Sequence, residues 1–288
     1  MPASVNDNSS MGRIEFRKDY NPPTFRKIAF GTWRTAADPS VYGQLDVDMS
    51  AVSGFLEKYS AHHGVKVTPT HLFAYVMAKC MLKRPEINGM IRWGRIYLRK
   101  HVSVFFQVNV PGSGKDGTKS ANLSGVTLEN VEDMTLKDIA QALAQKAGAI
   151  RNGEDRSFKK SFALIDKVPW ILVRHFLDLS SFLLYVLNWD LSKFGLPRDP
   201  FGSVMITNVG GMGIDLAWAP LCPYSRVPLL LTIGAQRDRV VAIDGQPQVR
   251  PVVQVGVTFD HRFMDGVHAA EMSRELKKFF AEPEQYFS

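Results

Sequence analysis

The chain has 288 residues, 45% apolar and 22% charged, which is ordinary globular usage and enough length to bury a core without disulfide or metal staples. Its formal charge is +7, so a nucleic acid, an anionic lipid or a polyphosphate-bearing small molecule is compatible with the composition. Cys80 and Cys222 stand far apart among apolar neighbours, outside any CxxC or Cys/His spacing, and are expected to be two buried small hydrophobes, with no metal site.

Residues 1–19 open with the polar run MPASVNDNSSMG and lack the apolar stretch of a signal peptide, so they read as a disordered or extended leader. No repeat and no Pro/Ala/Ser-rich linker divides the remainder of the chain, and residues 20–288 read as one domain, expected to be soluble and cytoplasmic. Val41 to Met49 alternates apolar and polar residues and predicts a half-buried strand. Ser50 then predicts an N-cap for a helix to about Ser60. From Thr68 to Arg84 the apolar residues Leu72, Phe73, Val76, Met77 and Cys80 keep helical spacing. Thr68 suits the cap, Pro69 the first turn, and Pro85 ends the helix.

Arg92, Arg95, Arg99 and Lys100, interleaved with Trp93 and Tyr97, form the densest basic cluster. A solvated strand or turn face is the expectation there, and no nucleic-acid motif supports more. His101 to Val110 is β-branched and aromatic and predicts a strand. PGSGKDGTKS at 111–120 reads as a flexible turn, because it has no G-x-x-x-x-G-K-[ST] match for a phosphate loop. Ser124 to Leu128 predicts a strand and Thr135 to Ile150 an amphipathic helix.

Residues 155–196 predict two or more helices in the most apolar part of the chain. The longest uncharged run, Leu179 to Trp189, falls short of the ~20 residues that cross a bilayer. Core or interface packing is expected there, with membrane contact the lesser alternative. Ser203 to Asn208, Leu229 to Gly234, Arg239 to Ile243 and Val252 to Phe259 predict strands, with a turn at Asp244-Gly245 and a last helix from about Gly266 to Phe280. Strands mixed with helices, without regular βαβ alternation, imply an α+β fold with a mixed sheet.

The strand ending at Phe259 runs directly into Asp260-His261-Arg262, and Asp265-Gly266 turns into the last helix. A histidine at a strand end is where function often sits. Random placement yields an H-x-x-x-D-G string in roughly 0.03 of chains of this composition, which makes a chance match a poor explanation. VTFDHRFMDG resembles the active-site signature of the catalytic domain of dihydrolipoyl acyltransferases, the core components of 2-oxo acid dehydrogenase complexes. Chloramphenicol acetyltransferases share that fold and the H-x-x-x-D-G core. RKIAFGTWR, VTPTHLFAYVMAKCMLKRPEING and VMITNVGGMG resemble further segments of the same family, so the resemblance covers most of the chain.

The resemblance implies a chloramphenicol acetyltransferase-like two-layer sandwich with a mixed β-sheet and flanking helices. It implies that His261 takes the proton of a thiol, on coenzyme A or dihydrolipoamide, and that the thiolate attacks a thioester carbonyl. A histidine of pKa near 6.5 suits a thiol near 8.5. The family fixes the imidazole tautomer by an internal hydrogen bond. Asp265 is then a brace, paired with an arginine, for which Arg34 is the candidate. The family's serine donor to the oxyanion is replaced by Thr207, which keeps the hydroxyl and adds a methyl. Asn208 and Gly210-Gly211 order the turn after it. The family forms trimers, with the histidine of one subunit facing the hydroxyl of its neighbour, so a homotrimer, possibly in a larger cage, is expected.

Two features depart from the family. No lipoyl-attachment hairpin is recognisable, so lipoamide, if used, is expected on another protein and coenzyme A as a substrate, with no lipoyl group on this chain. The 155–200 segment is longer and more apolar than usual, and PGSGKDGTKSANLSG replaces the family's Gly-Leu-x-x-Pro stretch. Two alternatives therefore stand beside the thiol acyltransferase: a coenzyme A-dependent O- or N-acetyltransferase of a small molecule, and a non-catalytic scaffold subunit of the same fold.

Overall fold

A computed structural model describes residues 15–17, 20–21, 23–24, 38–113, 119–152, 168–194 and 196–287. Most of the expected leader and Arg34 lie outside the described residues, as does the tip of the 111–120 turn.

Nine strands and six helices are described: β1 (Phe16–Arg17), β2 (Ser40–Asp48), α1 (Ser50–His63), α2 (Pro69–Lys83), β3 (Gly89–Arg92), β4 (Arg95–Arg99), β5 (Val104–Ser113), β6 (Lys119–Leu128), α3 (Leu136–Arg151), α4 (Trp170–Ser181), β7 (Val204–Asn208), β8 (Leu229–Ile243), β9 (Gln246–Asp260), α5 (Gly266–Ala281) and α6 (Pro283–Phe287). Six strands form one sheet in the order β2-β9-β8-β7-β5-β6, and β1, β4 and β3 form a small second sheet. β7 runs parallel to both β5 and β8, and the other pairs of the large sheet are antiparallel. The expected α+β fold with a mixed sheet is the observed one.

The core lies between one face of the large sheet and the helices. Val104, Phe106, Val204, Ile206, Leu229, Leu231, Val253 and Val255 supply the sheet side, and α2 supplies Leu72, Phe73, Val76 and Met77, all essentially inaccessible. α2 buries nine of its fifteen residues, so it is the central helix and not a surface one. Its start is held by His71, whose Nδ1 accepts the Thr68 N–H at 3.0 Å. Burial pushes the His71 pKa down to about 4, because a buried imidazolium loses hydration and this acceptor role. α3 begins at a capping box in which the Thr135 hydroxyl accepts from Asp138 N and Asp138 accepts from Thr135 N.

The opposite sheet face carries an irregular segment after β7. Thr232 donates to Ala217 O, Thr258 donates to Ala219 O at 2.7 Å, and Ala235 N donates to Ile214 O. This close approach requires Gly234: a Cβ there would stand 1.8 Å from Asp215 O.

Several expectations change in detail. Leu229–Gly234 and Arg239–Ile243 are one strand, β8, irregular between Ile233 and Gln236, and the Asp244-Gly245 turn adopts left-handed φ angles of 50° and 75°. Ser50 is the first residue of α1 and not its cap; the Asp48 carboxylate accepts the Ser50 N–H instead. Cys80 is buried as expected, and burial raises its thiol to about 12, but Cys222 is exposed because its loop runs over the outer sheet face. Arg99 is not on a solvated face. It is 5% exposed, and its guanidinium binds Asp199 at 2.8 Å and Gly89 O at 2.9 Å, tying the small sheet to the approach to β7. Of the 155–196 stretch, residues 155–167 lie outside the described residues; α4 is largely exposed apart from Ser180 and Ser181 at its end, and Leu184 and Tyr185, in the π-helical turn after it, pack inward beside Met90 and Leu196.

Candidate active site

β9 delivers the backbone of the turn into a fixed position. Asp260 N donates to Pro228 O and His261 N donates to Pro39 O, both at 2.9 Å, so the strand end is held on two sides. The Asp260 carboxylate accepts Arg262 N at 2.9 Å and forms an ion pair with the Arg262 guanidinium at 2.6 Å. Phe263 and Met264 turn into the core, 4% and 0% exposed. Phe263 seats its ring on Gly89, where a Cβ would come within 2.7 Å of the ring. A D-H-R-F-M-D string thus folds as a staple: two buried apolar residues in the middle hold the polar residues before them at the surface of the sheet.

His261 sits half-buried on this staple, and its Nδ1 lies 2.7 Å from Met264 O. A carbonyl only accepts, so Nδ1 carries the proton and Nε2 the lone pair. That is the tautomer a general base needs. The internal hydrogen bond implied by the family signature is present, and its acceptor is a backbone atom three residues on.

Asp265 starts α5. Its Oδ1 accepts from Val267 N at 3.0 Å and His268 N at 3.3 Å, and lies 2.7 Å from His268 Nδ1. The expected brace is therefore a helix cap. The arginine suggested for it, Arg34, lies outside the described residues. Sequence reading missed the far side of this brace: His268 Nε2 lies 3.2 Å from Glu86, and Arg84 pairs with both Glu86 and Glu271. A histidine at the third helical position after an aspartate cap was the available signal. The Glu86 partner is 182 residues away and left no local trace.

Thr207 occupies β7, partly accessible, opposite Thr232 of β8. Asn208 does order the turn: its Nδ2 donates to Thr70 Oγ1 at 3.0 Å and its Oδ1 accepts from Gly211 N at 3.3 Å. Gly210 is needed for close approach to Gly234 O, 2.5 Å from a Cβ placed on it, while the left-handed residue is Gly213 with φ 79°.

The register separates Thr207 from His261 within one chain. Thr207 pairs with Thr232, which pairs with Gly256, and His261 lies five residues further on, just past the end of β9. At ~3.3 Å per residue and ~4.8 Å per strand, the two side chains start roughly 19 Å apart. One protomer does not bring them to a common carbonyl. A cleft of about 810 Å³ lined by Phe55, Tyr59, His63, Tyr75, Tyr286 and Phe287 contains neither residue. Among the described residues, no group of three or more His, Cys, Asp or Glu side chains is arranged to hold a metal.

The mixed sheet backed by helices is the fold of known acyltransferase catalytic cores. Residues 201–288 match the family described as 2-oxoacid dehydrogenases acyltransferase (catalytic domain), and the chain carries a catalytic domain of this family. It is 33% identical over 246 residues to the dihydrolipoyllysine-residue succinyltransferase component of the 2-oxoglutarate dehydrogenase complex of Rickettsia bellii, covering 83% of this chain and 48% of that protein. In fold it is similar to a probable dihydrolipoamide acetyltransferase from Listeria monocytogenes, with TM-score 0.61 and 15% identity over 92% of this chain and 95% of that one. The same holds for the cubic core of the pyruvate dehydrogenase multienzyme complex, with TM-score 0.61 and 18% identity over 99% and 98% of the two chains. The chain spans about half the length of the curated relatives it matches.

Proposed function

We propose that the chain transfers an acyl group between coenzyme A and a thiol acceptor such as dihydrolipoamide. The observation that carries this reading is the Nδ1–H of His261 donating to Met264 O, which puts the lone pair of the neutral imidazole on Nε2 at a fixed strand end. Nε2 takes the proton of the attacking thiol as its sulfur bonds to the thioester carbonyl. The tetrahedral oxyanion is met by the Thr207 hydroxyl. Collapse breaks the original carbon–sulfur bond, and the departing thiolate takes the proton back from His261, so the cycle closes with no net change in the protein.

The roughly 19 Å between the two residues within one chain supports a hydroxyl supplied by a neighbouring chain. The reading therefore includes a homotrimer whose sites lie at the subunit boundaries, and the cubic core among its structural relatives makes a larger cage its natural extension. Coenzyme A and a lipoyl group carried in trans are the substrates. Asp265 and His268 hold the turn and do not touch the reacting atoms.

The test is acyl exchange between acetyl- or succinyl-coenzyme A and free dihydrolipoamide. His261→Ala is expected to lower kcat by ~10²–10⁴. Equal rates for the variant and the parent would overturn the assignment of His261. Activity confined to small hydroxyl or amine acceptors would overturn the thiol acceptor while leaving the base in place.

A further inference from the structure

α4 presents an apolar tip that stands exposed among the described residues. Trp170, Ile171 and Leu172 are 95%, 83% and 49% exposed. Successive helical residues point about 100° apart, so these three expose apolar surface around roughly 200° of the helix. The patch continues through Leu179 and Phe182. Phe182 meets Trp93 edge-on at 6.1 Å, and Trp93 projects from the β3–β4 turn. Trp189 is also exposed.

We infer that α4 and the Trp93 turn form a docking face for an anionic lipid bilayer, with the tip of the helix immersed at headgroup depth. The shape favours a fluid over a second protein surface. A flat partner covers one side of a helix, whereas acyl chains close around a tip from every side. The residue types agree: Trp93, Trp170 and Trp189 mark the edges of the patch, and tryptophan is the side chain that prefers the boundary between headgroups and hydrocarbon. The charged groups on and beside the patch are Arg174, His175 and Asp178 on α4, Arg95 at the start of β4, and Asp190 and Lys193 beyond the π-helical turn; Asp178 is offset by Arg174 at 3.9 Å, and three cations stand against two carboxylates. The surplus is cationic, in a chain of formal charge +7. No helix of the described residues is long and apolar enough to cross a membrane, and twelve residues span about 18 Å, so the contact is with one leaflet.

The face is joined to the turn that carries His261. Ser181 at the end of α4 accepts a hydrogen bond from Arg226 at 3.3 Å, and Arg226 stands close enough to Arg262 for the two like charges to interact. The inference stands whether or not the chain transfers acyl groups.

Co-sedimentation of the full chain with phosphatidylcholine–phosphatidylglycerol vesicles tests it, with tryptophan emission as a second readout. The chain is expected to pellet, its emission to shift to the blue, and binding to weaken with salt. The triple variant Trp170→Ser, Ile171→Ser, Leu172→Ser is expected to bind about tenfold more weakly or worse. Leu82→Ser, which removes an exposed leucine from α2, is expected to bind like the parent. Failure of the parent to pellet would overturn the inference. So would equal binding by the triple variant, or a triple variant that keeps its vesicle binding but loses mass in light scattering, which would make the tip a contact between copies of the chain.

Discussion

The turn from Asp260 to Asp265 and the segment from Trp170 to Trp189 are both rich in bulky apolar residues, yet the chain treats them oppositely. In the turn, Phe263 and Met264 are driven into the core, and their burial holds His261 and Asp265 in place. In α4, Trp170 and Ile171 stand in solvent. Burying a side chain of this size stabilises by roughly 1.5–3 kcal/mol. The turn uses that free energy within the fold. α4 leaves it available for something outside the chain. Apolar content alone therefore did not distinguish a structural element from a contact surface; the neighbours each segment could reach did.

The difference should appear in stability measurements. The largest effect is expected in acid, at the buried start of α2 in the core. His71 has a folded pKa of about 4 against an unfolded value near 6.5, so the unfolded chain binds the proton first as pH falls. Its contribution is complete above pH 6.5 and is lost as pH drops towards 4, by at most roughly 3 kcal/mol. Urea unfolding across this range should show the loss, and His71→Gln should flatten it. A smaller effect is expected at the brace. Asp265→Ala removes the cap of α5 and should cost about 1 kcal/mol in urea unfolding. It should also lower kcat by displacing the turn, and Asp265→Asn should recover most of the stability. The smallest effect is expected at the α4 tip. Replacing Trp170, Ile171 and Leu172 by serine should change stability by no more than about 0.5 kcal/mol per site, because the fold does not use them. A loss of several kcal/mol at the tip would erase the contrast between the two segments.

Much of the large sheet and its helices was legible in the sequence, because alternation, caps and turn residues act over a few positions. Thr68-Pro69, Thr135 and Asp244-Gly245 each mark a boundary that the structure keeps. The turn that carries His261 was legible for the same reason: its hydrogen bonds span only two or three residues. What escaped was set by distant partners. Arg99 looked like a surface charge until Asp199 closed on it, and the Glu86–His268 contact joins residues far apart in sequence. Cys222 sits among apolar neighbours but lies on a loop that crosses the outside of the sheet. The 155–196 stretch was the hardest to read, since helical periodicity identifies an apolar face without saying whether the chain will cover it. The separation of Thr207 from His261 depended on strand order, which no local pattern specifies.

The central claim of the proposed function rests on that separation: each site would take His261 from one chain and Thr207 from the next. Mixing chains tests it directly. His261→Ala and Thr207→Val assemblies, each nearly inactive alone, are unfolded and reassembled together at equal amounts, and acyl exchange is measured. If the site is split, mixed trimers contain boundaries at which both residues are intact, and activity should return to about a quarter of the parent level. Recovery no greater than the sum of the two separate assemblies would place both residues' work within a single chain and contradict the account.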